Sequence, residues 1–296
     1  MIPLAFIQQW TASAPWADLR QVEQDLIISR ALCDLFTSPA LRDRIAFRGG
    51  TAIHKLLFLR PLRYSEDIDL VQTRAEPIGD IIDGIRDALS WLGKCSRTQT
   101  QHSIHLVFKF SPETGSGEPL KLKIEVNTRE HQSRYGLQAY PFTVESDWHQ
   151  ASAEIISFEP DEIFGTKLRA FLQRNKNRDL FDLNEGLMSR LLDAERLLDC
   201  FHHYLALEGH LISRANAEER MLQKLTRSLT EDVTPLLPPG VRFDDADAVK
   251  AFGRVWGELV SRLSGESWKS SQAVIETIRK TTIPNLLDGV ERHGSA

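Results

Sequence analysis

The sequence predicts an α+β chain: a mixed sheet with flanking helices over residues 1–158, then an α-helical domain over 159–296. Three observations predict it. Residues 47–71 read as a tight glycine turn, a short helix and a strand ending in two aspartates. Residues 103–127 hold two segments of strict apolar alternation. Beyond Leu187, helical spacing dominates and strand signals are few. A chain of 296 residues can bury a large core and accommodate two domains.

In residues 18–37, Leu19, Val22, Leu26, Ile27, Ala31, Leu32 and Leu35 recur at helical spacing, and most charges of this helix are expected in solvent. Gly49 and Gly50 permit a sharp turn and close approach to a ligand, with Thr51 placed to cap a helix over Ala52 to Leu59. Asp67 and Asp69 follow among Ile68, Leu70 and Val71, which reads as a strand. A second helix is expected from Ile78 to Leu92, with Ile81, Ile82, Ile85 and Leu89 inward.

SIHLVFKF and LKLKIEVN then alternate, joined by the polar turn SPETGSGEP, which predicts a hairpin. Its open face carries Lys121, Lys123, Glu125 and Asn127. Pro160-Asp161 opens a helix with acids first and basic residues at its end, striped by Ile163, Phe164, Leu168, Phe171 and Leu172. Asn175-Lys176-Asn177 breaks it, and another helix begins near Asp179. Helical character continues to Leu286 through a proline-bearing connector and a late amphipathic helix, Val249 to Leu263.

Composition excludes several classes. Charged content of 26% and a net charge of −5 give no global basic field. Basic residues nevertheless cluster at Arg42, Arg44, Arg48, Lys55, Arg60 and Arg63, and again at Lys167, Arg169, Arg174, Lys176 and Arg178. Both clusters are candidates for holding a polyanion. Three scattered cysteines offer neither a disulfide framework nor a zinc spacing, which fits a reducing cytoplasm. The start lacks the basic region of a signal peptide, and no apolar segment is long enough to cross a membrane.

The chemistry concentrates between Gly49 and Asp69. A helix start behind two glycines favours phosphate, and Asp67 and Asp69, at i and i+2 on a strand, share one face. Two carboxylates facing a phosphate cradle suit Mg²⁺ and phosphoryl or nucleotidyl transfer. Lys55 and Arg178 are further candidates for phosphate contact. Ser65 shares the Asp67 face and either supports a phosphate or, if itself phosphorylated, blocks nucleotide entry; a fully active Ser65→Glu protein would exclude the second role.

Gly-Gly-Thr-Ala followed by Arg63-Tyr64-Ser65-Glu66-Asp67-Ile68-Asp69-Leu70 resembles the core of the AbiE-type abortive-infection toxins. These are nucleotidyltransferases of the DNA polymerase β superfamily, grouped with the mycobacterial MenT toxins. The resemblance extends to KLRAFLQRNKNRDLFDL at 167–183 and touches Val22-Glu23-Gln24-Asp25.

It implies a polymerase-β-like nucleotidyltransferase domain, completed by the helical domain at an active-site cleft. The implied activity is Mg²⁺-dependent transfer of nucleotides from NTP to the 3′ end of tRNA, which blocks charging and translation. A cognate antitoxin as partner and a role in phage defence go with it. Lys167 matches the family lysine and Asp182 the downstream aspartate, which orients Lys167, contacts metal or accepts a proton. Asp179 is an alternative to Asp182. Glu125 is placed as a third catalytic carboxylate, or as an ordinary partner of Lys109 or Lys123. A protein or small-molecule hydroxyl as acceptor, and a non-catalytic binding role, remain the alternatives.

Overall fold

The computed structural model describes residues 2–114, 118–225 and 228–281, the side chains of 278–281 excepted. The centre of the expected hairpin turn, 115–117, and the expected helical end at 282–286 lie outside the described residues. The chain divides into two compact units, 1–159 with 236–240, and 160–235 with 241–296.

The first unit is a seven-stranded mixed sheet with helices. Helices α1 (Leu4–Trp10) and α2 (Leu19–Thr37) precede strand β1 (Ile45–Arg48). Helix α3 (Gly49–Ala52) continues as a π-helical turn, Ile53–Leu57, and leads to β2 (Asp67–Gln72). Helix α4 (Gly79–Ala88) is followed by β3 (Cys95–Gln99), β4 (Ser103–Phe110), β5 (Leu120–Asn127), β6 (Leu137–Ser146) and β7 (His149–Phe158). The strand order is β3-β4-β5-β2-β1-β7-β6. The β2–β5 and β1–β7 pairs are parallel, and the other pairs are antiparallel. The predicted hairpin is present, with Phe110 opposite Leu120 and Ser103 opposite Asn127.

One face of this sheet is buried. Ile68, Leu70, Ile104, Leu106, Phe108, Leu122, Ile124 and Val126 join residues of α1, α2 and α4 in a single core. The opposite face keeps Asp67, Asp69, Lys123 and Glu125 half-exposed, the two-sided alternation expected of a sheet covered on one side.

Two expectations are corrected. Glu23 and Asp25 are only 0% and 2% exposed. A buried carboxylate persists when its oxygens are satisfied. Glu23 accepts from the amides of Glu113 and Thr114 and from the Thr114 hydroxyl. Asp25 accepts from the indoles of Trp10 and Trp16. The helix after the glycines begins at Gly49 with Arg48 as its N-cap, so Thr51 lies inside it and caps nothing. Its hydroxyl instead bonds the Asp67 carbonyl and, at 2.9 Å, the Ser65 hydroxyl.

Among the described residues the regular elements of the second unit are helical: α5 (Pro160–Gln173), α6 (Arg178–Met188), α7 (Ala194–Leu207), α8 (Arg214–Lys224), α9 (Asp245–Glu258) and α10 (Ser271–Thr281). The break between α5 and α6 falls at the predicted Asn-Lys-Asn. Helix α5 stops at Gln173, before Arg174, so its last turn has no basic residue, contrary to expectation. Gly165 brings α5 close to α7, since a Cβ there would sit 2.7 Å from the Cys200 Cβ. Asp193 caps α7, and Asp244 with Asp247 forms a capping box on α9.

Candidate active site

Strands β1 and β2 run antiparallel with Arg48 opposite Asp69, so the chain leaves β1 into the glycine turn beside that aspartate. Gly49 has a φ of +85°, a conformation glycine adopts without steric cost. Asp69 and Asp67 point to the open face of the sheet, and β5 runs alongside with Lys123 opposite Asp67 and Glu125 opposite Asp69. Thr51 ties α3 to the start of β2 through the Asp67 carbonyl and Ser65. The glycine turn, Thr51, Ser65, Asp67, Asp69 and Glu125 are thereby gathered around the start of the central strand β2.

The surrounding charges are more committed than their sequence clustering suggests. The Lys55 ammonium meets Asp25 at 2.7 Å and the Ser29 hydroxyl at 3.0 Å, which ties the glycine helix to α2. Arg48 pairs with Glu130, and Arg44 with Glu76 and Asp80. Arg63 is buried and donates to the Tyr64 carbonyl at 2.9 Å. Of this cluster Arg42 and Arg60 are exposed.

Glu125 lies 2.9 Å from the Lys123 ammonium and 3.2 Å from His105 Nε2. Burial opposes its charge, but the Lys123 hydrogen bond and charge, with His105 and Ser103, hold its carboxyl below the ordinary value. Of its two expected partners, Lys123 is the one in contact; Lys109 stands opposite Lys121. His105 was not anticipated; it lies opposite Glu125 in the β4–β5 pairing.

Within the second unit, the Lys167 ammonium sits 2.9 Å from Asp182 and 3.2 Å from Asp179. Both carboxylates are fully buried. Asp179 also receives two hydrogen bonds from Arg174, at 2.8 and 3.0 Å. Burial would raise the Asp179 pKa, yet the charges of Lys167 and Arg174 hold it below the ordinary aspartate value. Arg169 pairs with Glu208, Lys176 is exposed, and Arg178 is half-buried at the first position of α6.

Asp67 and Asp69 supply two hard oxygen ligands from one strand face. Among the described residues no group of three or more His, Cys, Asp or Glu side chains is placed to hold a metal ion. A carboxylate pair completed by phosphate oxygens and water is the donor set that suits Mg²⁺. The described cysteines are free, and burial, helped by Asp34, raises the Cys33 thiol to about 11. Among the described residues no helix is long and apolar enough to cross a membrane.

Both the fold and the sequence have counterparts among known proteins. MenT4, a nucleotidyltransferase toxin from Mycobacterium tuberculosis H37Rv, shares the fold with a TM-score of 0.59 at 16% identity, over 97% of this chain and 98% of that one. JHP933 from Helicobacter pylori matches with a TM-score of 0.44 at 15% identity, over 92% and 97%. No curated protein sequence matches significantly. The profile of the nucleotidyl transferase AbiEii toxins, type IV toxin–antitoxin systems, matches residues 30–256. That span takes in the glycine turn, both strand aspartates, Lys167 and Asp182, and the chain belongs to the AbiEii nucleotidyltransferase toxin family.

Proposed function

We propose that this toxin transfers nucleotides from NTP to the 3′ end of tRNA in the cytoplasm, in a Mg²⁺-dependent reaction that prevents charging and halts translation. A cognate antitoxin restrains it, and phage defence is the setting the family implies. The observation that supports the catalytic part is the packing of the Asp69 carboxylate onto the glycine turn at Gly49.

In this reading Asp67 and Asp69 hold the metal, which when bound neutralises phosphate charge and polarises the α-phosphate. The amides at Gly49 and Gly50 face the phosphates, and Thr51 and Ser65 fix the turn against β2. The acceptor hydroxyl oxygen bonds the α-phosphorus, the bond to pyrophosphate breaks, and the hydroxyl proton passes to a carboxylate. Lys167 and Asp182 match the family's second block, and Asp182 orients the Lys167 ammonium, which it meets at 2.9 Å. Glu125 serves as a neighbour of the metal pair engaged by Lys123 and His105. Lys55 contributes by fixing the glycine helix through Asp25.

Within the two basic clusters, Arg42, Arg60 and Lys176 are exposed and Arg178 is half-buried, which leaves these side chains open to an RNA backbone. The test incubates the purified protein with total tRNA, Mg²⁺ and each α-labelled NTP in turn, beside Asp67→Ala. Label on tRNA that the variant fails to transfer supports the proposal. Nucleotide consumption with unlabelled tRNA overturns the acceptor and favours a protein or small-molecule hydroxyl.

A further inference from the structure

The sheet face that carries Asp67 and Asp69 also carries a cation with no role yet assigned, Lys123. Parallel pairing of β2 and β5 sets Lys123 directly opposite Asp67 and Glu125 opposite Asp69, across neighbouring strands about 4.8 Å apart. Lys123 reaches Glu125 at 2.9 Å, and the two side chains are 33% and 34% exposed, so both border solvent at the carboxylate pair. Burial works against the charge on Lys123, but the hydrogen bond and charge of Glu125, then the charges of Asp67 and Asp69, hold its pKa above the ordinary lysine value.

We propose that Lys123 is the standing counter-ion of the Asp67–Asp69 pair: it weakens that pair for a bare divalent cation, so that metal is taken up together with the phosphates of the nucleotide. The inference rests on the nucleotidyltransferase reading of this site. A fixed positive charge one strand away repels an incoming dication at short range in a partly desolvated setting. A triphosphate reverses the balance, because its oxygens complete the metal's shell and its surplus negative charge accepts Lys123 as a second partner. Lys123 also occupies Glu125, which leaves two carboxylates rather than three for the metal. It is a positioning residue, acting on what the carboxylates bind.

The test is a Mn²⁺ titration read by the electron paramagnetic resonance of free Mn²⁺, with the metal alone and with a non-hydrolysable α,β-imido NTP. Wild type, Lys123→Met, Lys123→Arg and the double variant Lys123→Met/Glu125→Gln are compared, with circular dichroism as the check on folding. Wild type and Lys123→Arg bind Mn²⁺ weakly alone and tightly with the analogue. Lys123→Met binds Mn²⁺ alone about tenfold more tightly or better, and the double variant keeps that gain. If Lys123→Met stays as weak as wild type while binding with the analogue persists, the role of Lys123 is overturned and the nucleotidyltransferase reading stands. If the gain vanishes in the double variant, the freed Glu125 is its source and the counter-ion account fails. Absence of Mn²⁺ binding in every protein, with the analogue present, overturns the metal site itself.

Discussion

The carboxylate of Asp69 lies against the Cα of Gly49: a Cβ built on that glycine would stand 2.0 Å from Asp69 Oδ2 and 2.9 Å from its Cβ. The glycine turn and the Asp-x-Asp strand, some fifteen to twenty residues apart in sequence, are thus one piece of packing. Position 49 has no room for a side chain.

Gly49→Ala is therefore expected to abolish nucleotide transfer and to cost about 1–3 kcal/mol of stability, from the strained backbone and the displaced carboxylate. Gly93→Ala is the control. It has a similar φ of +82° with nothing within 4 Å of its Cβ, so it costs stability without loss of activity. Urea denaturation and transfer assays on both variants check this.

The Asp25–Lys55 pair is predicted to be a buried tie whose parts cannot be removed singly. Asp25→Asn leaves the Lys55 ammonium poorly compensated and is expected to destabilise by about 3–5 kcal/mol. Lys55→Met in the same background restores part of that loss. A double-mutant cycle by chemical denaturation measures the coupling, and additivity of the two changes would refute the tie. Because Trp10 and Trp16 both donate to Asp25, tryptophan emission should shift in Asp25→Asn.

Asp179 makes stability depend on acid. Its folded pKa lies below the ordinary value of 3.8, so between that value and the lower folded one the unfolded chain binds more protons. Its contribution is fully present above pH 3.8 and is lost as pH falls through the folded pKa. Denaturation at descending pH should show this loss in wild type, and a shallower dependence in Asp179→Asn.

Most of the basic clusters are consumed in internal ion pairs, which limits how many cations reach RNA. Arg60→Ala and Lys176→Ala are each expected to weaken tRNA binding alike across tRNA species. Each should lower the salt slope by about 0.7–0.9. Filter binding between low and moderate salt measures it. Salt-independent activity would instead favour a small-molecule acceptor.

The alternating hairpin, the α2 helix and the Asp67–Asp69 strand were legible because burial of one face imposes a period on the sequence. Strands β1, β3, β6 and β7 were not anticipated. Strand β1 has only four residues, β3 is polar at the sheet edge, and β6 carries Pro141 in an exposed face, so none shows a clean period. The glycine and aspartate motif was visible as spacing, but the contact of Gly49 with Asp69 needs the β1–β2 register. The ion pairs were invisible for the same reason. Lys55 with Asp25, and Arg48 with Glu130, join residues 30 and 82 positions apart.

Sequencing of tRNA 3′ ends after incubation with NTP and Mg²⁺ tests the central claim most directly. Wild-type protein should leave tRNAs extended beyond their terminal adenosine, and Asp67→Ala should leave them unchanged. Unextended 3′ ends in the presence of wild-type protein that consumes nucleotide would contradict the account.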